Sequence, residues 1–329
     1  MKRHGDRRNC FTRTLVNRTC GCIAWLGLTF LTSGMRVSAE TLALIPIADT
    51  SIMENAPEFN LGAQEDLPAG TLGALANFAR TRILLKFDLA GSLPAKATIR
   101  SALLRLTVTR TPDGGGANSI FGLHRVLRPW GEGTKKGNPP GGAAAGAQEA
   151  TWRMRFHPDQ SWASPGGQPG VDYVATASSS ERILGTGSYE FEFGSDQVRE
   201  LQEWLDNSNA DFGWAVLSQS EDVERSARRF GAREHPQPAS RPTLTIEYSA
   251  PRQIERPVIT SISFTNGQTA ITFRASAGIR YGLQFHPSLS SSEWQPLPLL
   301  PPALSDGELT LTDDAVVGSE RFYRILATE

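Results

Sequence analysis

The chain has 329 residues, of which 39% are hydrophobic and 20% are charged. It therefore has enough apolar side chains for an ordinary core, and its length allows one large domain or two unequal ones. The 33 basic and 34 acidic residues give a formal net charge of −1 at pH 7. Disordered proteins combine low hydrophobicity with high net charge, so these values exclude a disordered protein.

Residues 1–39 predict a secretory signal peptide that is cleaved before Glu40. A basic stretch precedes an apolar run at residues 23–32, and this run is too short to span a bilayer. Val37-Ser38-Ala39 then places small residues where a signal peptidase reads them. A buried core helix is the alternative interpretation of the run, and Arg7-Arg8 leaves general secretory and twin-arginine export open. We therefore expect a secreted protein, either extracellular or periplasmic.

Cleavage of this signal changes what the rest of the chain can do. All three cysteines, Cys10, Cys20 and Cys22, lie within it, so the mature chain has no disulfide and no thiolate metal site. The remaining 26 basic and 33 acidic residues give a net charge of −7, which argues against nucleic acid as a partner. No later stretch is long and apolar enough to insert into a membrane.

From Thr41 onward, short alternating segments separated by Gly, Pro, Asn and Asp predict an all-β sandwich. Three segments show the alternation best: "RILLKFDL", "TIRSALLRLTVTR" and "PTLTIEY". Their inward residues are predicted to be Ile83, Leu85, Phe87, Leu89, Ala102, Leu104, Leu106, Val108, Leu244, Ile246 and Tyr248. One segment, 195–207, has helical spacing, and Ser195 or Asp196 is placed to cap it.

Composition also predicts the domain boundaries. Two Gly- and Pro-rich stretches, 131–150 and 161–180, are expected to form loops. The polar connector "APRQIERP" follows the strand that ends at Tyr248, and Asn266-Gly267 beyond it predicts a tight hairpin turn. We expect a β-sandwich at 40–250, a linker at 251–257 and a smaller β domain at 258–329.

Several segments occur in an order that resembles the DNRLRE-type domain, grouped with carbohydrate-binding module family 96. They cover residues 48–249 and include "ADTSIMENAPEFNLG", "RILLKFDL", "PWGEG", "ATWRMR", "VRELQEWLDN", "FGWAVL", "RRFGARE" and "RPTLTIEY". The resemblance implies a jelly-roll-like β-sandwich from a secreted bacterial or cell-surface protein, and some such domains bind acidic polysaccharides such as alginate. The chain departs from the family in its longer glycine-rich stretch 131–150 and lacks the name-giving hexapeptide. Residues 258–329 resemble small fibronectin-like β-sandwiches.

Enzymatic chemistry has little support in the sequence. The histidines of the mature chain, His124, His157, His235 and His286, lie outside any metal-ligand spacing, and there is no nucleophile elbow or phosphate-binding loop. We therefore expect no catalytic residues and no cofactor, although a structural calcium ion is left open. A β-sandwich lyase or hydrolase, acting through paired carboxylates, is the enzymatic alternative.

Arginine-rich strands are the better candidates for a binding site. If Phe230 points inward, Arg229 and Arg233 face outward about 13 Å apart at ~3.3 Å per residue, a spacing suited to successive units of an acidic polymer. Arg80, Arg82 and Lys86 form a second outward basic cluster, and Trp162 lies in a loop where an indole can stack on a sugar. Pairing of these arginines with acidic neighbours such as Glu221 is the alternative.

The sequence therefore predicts a non-catalytic, polysaccharide-binding protein whose ligand is a uronate-containing or cell-surface glycan. The candidate residues are Arg229, Arg233, Arg80, Arg82, Lys86 and Trp162. The alternative is a structural or adhesive protein in which both β domains act as spacers without a ligand site.

Overall fold

The computed structural model describes residues 39–113, 119–137, 141–251, 254–287, 293–314 and 320–328. The predicted signal peptide, apart from residue 39, and its three cysteines lie outside the described residues. Among the residues that are described, no helix combines the length and the apolar character needed to cross a bilayer.

Residues 39–249 contain most of the strands and the α-helix. The strands are β1 (Ala39–Leu44), β2 (Ala48–Met53), β3 (Phe59–Asn60), β4 (Asp66–Thr71), β5 (Arg80–Lys86), β6 (Thr98–Arg110), β7 (Ser119–Arg125), β8 (Ala143–Ala144), β9 (Met154–Phe156), β10 (Gln160–Ser161), β11 (Ser179–Ile183), β12 (Gly187–Glu192), β13 (Trp214–Ser218), β14 (Arg228–Gly231) and β15 (Thr243–Ser249). The α-helix is α1 (Ser195–Asp206), and short 3-10 helices cover Ala74–Ala76, Ser208–Ala210 and Pro238–Ser240.

These strands form the all-β sandwich that the sequence predicts. One layer contains β1, β15, β6, β14 and β4 in that order, with β12 on the other edge of β6. The second layer contains β2, β5, β13, β7 and β11, and β4 pairs with β5 to connect the layers. All described strand pairs in these layers are antiparallel.

The core lies between the two layers. All eleven residues that alternation places inward are buried, which confirms the predicted faces of β5, β6 and β15. Phe230 of β14 is also buried and meets Phe121 of β7 edge-to-face, with ring centroids 5.5 Å apart. Aromatic pairs of this geometry contribute about 0.5–1.5 kcal/mol beyond the area they bury, so this contact helps hold the layers together.

The outer face of the second layer is covered rather than exposed. Leu84 and Ala215 point away from the main core, yet both are buried. Trp152, Trp162 and Tyr173 pack over them from the Gly- and Pro-rich segment that follows β7. We name residues 126–174 the cover segment, with the described residues 126–137 and 141–174 forming the contacts.

The buried side-chain amide of Asn60 holds two parts of the cover segment against β3. The Nδ2 group of Asn60 donates to the carbonyls of Glu132 at 2.7 Å and Ala150 at 2.9 Å, and its Oδ1 accepts from the Gly62 N–H at 2.8 Å. The Ala150 N–H donates to the Gly131 carbonyl at 2.8 Å. The segments "PWGEG" and "ATW" therefore meet here, with Trp130 and Trp152 in the same apolar cluster.

Helix α1 is confirmed with one correction. It spans Ser195–Asp206 and buries Leu201, Trp204 and Leu205. The predicted capping by Ser195 or Asp196 is wrong, because the N-cap position is Gly194 and no side chain caps the helix. Asp196 lies in the first turn, where its negative charge complements the helix dipole.

Residues beyond 258 form two further sheets. Their strands are β16 (Ile259–Thr265), β17 (Gln268–Ala275), β18 (Arg280–His286), β19 (Gln295–Pro296), β20 (Gly307–Asp313) and β21 (Phe322–Thr328), ordered β16-β17-β20 and β19-β18-β21. Asn266 and Gly267 have φ angles of 54° and 79°, as the predicted hairpin turn requires. Ile271, Phe273, Tyr281 and Leu283 belong to a separate buried cluster.

Candidate functional site

A bulge in the first layer brings two arginines together at one end of the sandwich. Arg229 of β14 lies opposite Arg110 of β6, whereas the next residue, Phe230, lies opposite Val108. The register therefore shifts between these two pairs, and a bulge changes which side of a strand a residue faces. Because Phe230 points into the core, Arg229 and its partner Arg110 face outward.

These arginines line a cleft of ≈ 770 Å³. Four of its lining residues are arginines, namely Arg110, Arg225, Arg228 and Arg229, and the only acidic lining residue among those described is Asp113. The apolar lining residues include Leu72, Pro112 and the fully exposed Leu75. The cleft thus combines positive charge with an apolar surface, which suits an anionic ligand that also has apolar faces.

Arg229 is the arginine that is available to a ligand. In the part of the chain that the structure describes, its guanidinium makes no hydrogen bond and no ion pair, and its side chain is half-buried. Burial and the neighbouring charge of Arg110 lower its pKa. The nearby Asp66 carboxylate acts in the opposite direction but forms no ion pair with it among the described residues. A guanidinium stays charged at neutral pH, so Arg229 is a cation whose hydration is reduced and which no carboxylate contacts in the described part of the chain.

The other three arginines hold the shape of the cleft or border it. Arg228 is buried and donates to the carbonyls of Ser226 at 2.9 Å and Ile183 at 3.3 Å. Arg225 donates to the Asp113 carbonyl. Arg110 lies 3.5 Å from the Asp113 carboxylate in a pair that is mostly exposed, and an exposed pair of this kind contributes little to stability and is easily exchanged for a ligand.

The predicted cluster at Arg80 and Arg82 is corrected by the structure. Arg82 is buried, with 8% of its surface exposed, because the cover segment lies over the face that alternation assigned to solvent. Its Nε and Nη2 donate to the two oxygens of Glu221 at 2.8 and 2.7 Å, and its Nη1 donates to the Gly166 carbonyl at 2.7 Å. Arg80 pairs with both oxygens of Glu54 at 2.9 and 2.7 Å.

Lys86 and Trp162 do not join a site with these arginines. Lys86 ends β5 and Arg80 begins it, so they lie about 20 Å apart at ~3.3 Å per residue. The prediction of an exposed indole at Trp162 is wrong, because only 5% of its surface is exposed. Its Nε1 donates to the Thr151 carbonyl at 3.0 Å, so Trp162 packs the cover segment instead of presenting a stacking face.

Arg233 is half-buried, carboxylates contact it, and it does not line the cleft with Arg229. It follows β14, and its Nε lies 2.7 Å from an oxygen of Glu132 and 2.7 Å from an oxygen of Glu234. Its backbone N–H donates to Asp49 at 2.8 Å. Arg229 and Arg233 therefore have different surroundings, and the structure does not support a single binding surface formed by both.

Arg110 and Asp49 are the residues that sequence reasoning missed. Simple alternation puts Arg110 on the same face as Val108, and only the bulge turns it outward. Asp49 in "ADTSI" is fully buried in β2. An acidic residue within a strand that is otherwise buried was the available signal, since a buried carboxylate needs a partner.

The histidines stay apart from this cleft. None of them lines it. Nδ1 of His124, for example, lies 2.9 Å from the Val174 carbonyl under the cover segment.

Comparisons with known proteins do not assign a family. No protein-family model matches the chain, and no curated protein matches it. Among solved structures, the glycoside hydrolase domain of Endo-D from Streptococcus pneumoniae aligns with 88% of this chain at 11% identity and a TM-score of 0.18. The chain spans about a third of the length of that structure, 34%. The DNRLRE-type resemblance therefore stays a prediction.

Proposed function

We propose that this protein binds an acidic, uronate-containing polysaccharide in the arginine cleft and does not act on it chemically. The observation that carries the proposal is the half-buried Arg229, which has no hydrogen bond or ion pair in the described part of the chain and lies beside Arg110. Arginine is well suited to bidentate recognition of carboxylates, because its planar donors match the two oxygens.

The shape of the cleft supports a sugar rather than a small inorganic anion. Its volume of ≈ 770 Å³ is within the usual range for ligand sites. Leu72 and Leu75 add an apolar surface to the cleft that the arginines line, and a pyranose ring carries apolar C–H faces as well as polar edges. A uronate unit can therefore place its ring against the leucines and its carboxylate against Arg229. The resemblance to carbohydrate-binding module family 96 points to the same ligand class.

Substitution of Arg229 tests this proposal. We expect Arg229→Ala to weaken binding of alginate oligosaccharides about tenfold, because a charge-assisted hydrogen bond contributes ~1.5–3 kcal/mol and about 1.4 kcal/mol corresponds to a factor of ten. Calorimetric titration of the full-length mature protein measures the change, and the thermal midpoint should stay nearly constant.

Arg199→Ala is the matched control. Arg199 lies on α1 with 69% of its side chain exposed, so this variant removes the same charge without touching the cleft. Equal affinities of wild type and Arg229→Ala would contradict the proposal. Absence of binding to any uronate glycan at low ionic strength would favour the spacer alternative, and release of new reducing ends from alginate would indicate an enzyme.

A further inference from the structure

Three carboxylates meet around Arg233, away from the arginine cleft. Asp49 lies on β2, Glu132 begins the cover segment and Glu234 follows β14. Each can contribute one oxygen to a group in which all the oxygens lie within 4.8 Å of one another. The Asp49 N–H also donates to Glu132 at 2.9 Å, so the backbone of β2 fixes the position of one of the other carboxylates.

The guanidinium of Arg233 does not satisfy this group. Three carboxylates carry three negative charges against its one positive charge. Its Nε has a single hydrogen yet lies 2.7 Å from both Glu132 and Glu234, and neither contact has hydrogen-bond geometry. Its Nη2 donates to Oε2 of Glu132 at 3.2 Å and its Nη1 donates to the Ile47 carbonyl at 3.1 Å. The guanidinium therefore hydrogen-bonds one of the three carboxylates and acts on the other two only through its charge.

Two carboxylate oxygens of this group have no hydrogen-bond partner among the described residues. One is Oδ1 of Asp49, a residue with no exposed surface, and the other is Oε2 of Glu234. A buried carboxylate oxygen that is neither hydrogen-bonded nor bound to a cation is costly.

We propose that Asp49, Glu132 and Glu234 bind a hard divalent cation, with Ca²⁺ the best match. Calcium binds carboxylate oxygens at about 2.3–2.6 Å, so two oxygens on the same ion lie at most about 5 Å apart, and this limit accommodates the group. The ion supplies the charge that Arg233 alone does not. This site is independent of glycan binding in the arginine cleft.

Arg233 and the cation compete for the same oxygens. About a third of the Arg233 side chain is exposed, 33%, so the guanidinium can turn towards solvent when an ion binds and exchange its hydrogen bonds to Glu132 and the Ile47 carbonyl for bonds to water. Its backbone N–H keeps donating to Oδ2 of Asp49. Because Glu132, Glu234 and Asp49 come from three separate parts of the chain, a bound ion joins β2, the start of the cover segment and the end of β14.

Titration of the EGTA-treated full-length mature protein with CaCl₂ tests the proposal. We expect one Ca²⁺ per chain by calorimetry and a thermal midpoint that rises with calcium concentration, because the ion binds the folded state alone. Arg233→Ala should bind Ca²⁺ about tenfold more tightly or better, since it removes a competing charge from the site. It should also unfold at a lower temperature than wild type without calcium and recover when calcium is added.

Two carboxyl variants locate the ion. Glu234→Gln, and Asp49→Asn if it folds, should lose most of the calcium response. Glu149→Gln is the control, because Glu149 is also buried but accepts from the N–H groups of Thr134 and Gly146 at 2.9 and 2.7 Å. It should keep the wild-type response. The proposal is wrong if neither wild type nor Arg233→Ala responds to calcium. It is also wrong if Glu149→Gln loses the calcium response while Glu234→Gln keeps it.

Discussion

Glu200 on α1 shows how one buried carboxylate makes stability depend on pH. Only 16% of its side chain is exposed, and its nearest cation, Nε of Arg125, lies 3.6 Å away without forming a hydrogen bond. Burial therefore outweighs this attraction and raises the pKa of Glu200 from 4.5 to about 7. The folded state therefore holds the Glu200 proton more tightly than the unfolded state does. The contribution of this protonation to the free energy of unfolding is complete below about pH 4.5 and is lost as the pH rises through 7.

Glu200→Gln should remove this pH dependence. At one pKa unit per 1.36 kcal/mol, the shift corresponds to at most about 3 kcal/mol. We expect wild type to lose stability between pH 5 and pH 8 in urea unfolding, and the variant to lose less and to be the more stable protein at pH 8. Glu192→Gln, which neutralises an exposed glutamate of β12, should keep the wild-type slope. Equal slopes for wild type and Glu200→Gln would contradict the argument.

The two arginines of β5 separate the effect of burial from the effect of pairing. Both Arg80 and Arg82 make bidentate contacts with a glutamate. In the first pair, 41% of the Arg80 side chain and 37% of the Glu54 side chain are exposed. In the second pair, only 10% of the Arg82 side chain and 16% of the Glu221 side chain are exposed. Arg82 also donates to Gly166 of the cover segment, so it joins this segment to the sheet.

We expect Arg82→Ala to destabilise the protein by about 3 kcal/mol or more, because breaking a buried pair leaves Glu221 and a buried carbonyl without their donor. Arg80→Ala should cost less than about 1 kcal/mol, as exposed pairs do. Urea unfolding of both variants measures the difference, and glycan binding in the cleft should be unaffected in either. Similar losses in the two variants would show that the cover segment does not depend on Arg82.

Alternation in the sequence was sufficient to predict the faces of the strands but not what covers them. It correctly placed Leu85, Leu104 and Ile246 inward, because the side-chain period of a strand is fixed by backbone geometry. It assigned Leu84 to the opposite face, which the structure confirms. Whether that face meets water depends on the cover segment, which has no periodicity and is held by the long-range hydrogen bonds of Asn60.

The cleft could not be predicted for a related reason. Arg229 was a candidate because four arginines lie within residues 225–234. Its neighbour Arg110 comes from β6, more than a hundred residues earlier, and faces the same way only because of the bulge between β6 and β14. Cross-strand partners and bulges are set by the pairing of whole strands, so no local pattern in either segment indicates them.

Across the whole molecule, the described residues of unit Ser38–Glu329 belong to two sets of sheets. In the first set the chain closes on itself, because β1 pairs with β15 from Ala39 opposite Ser249 to Leu44 opposite Leu244. The first and last strands of the sandwich are therefore neighbours. The second set, β16 to β21, has its own buried cluster around Phe273 and Tyr281.

This arrangement leads us to expect that a chain ending at residue 251 folds without the C-terminal sheets. Every described strand partner of β1 to β15 lies before residue 250, so truncation removes no hydrogen bond from the sandwich ladders, and the core around Leu104 and Phe230 stays complete. We expect a single cooperative urea transition whose midpoint is close to that of one transition of the chain that extends to residue 329. A chain ending at residue 241, which lacks β15 and so exposes an edge of both β1 and β6, serves as the comparison and should fail to fold. If the longer fragment also unfolds without a cooperative transition, the C-terminal sheets stabilise the sandwich and the boundary at 251–257 does not separate independent domains.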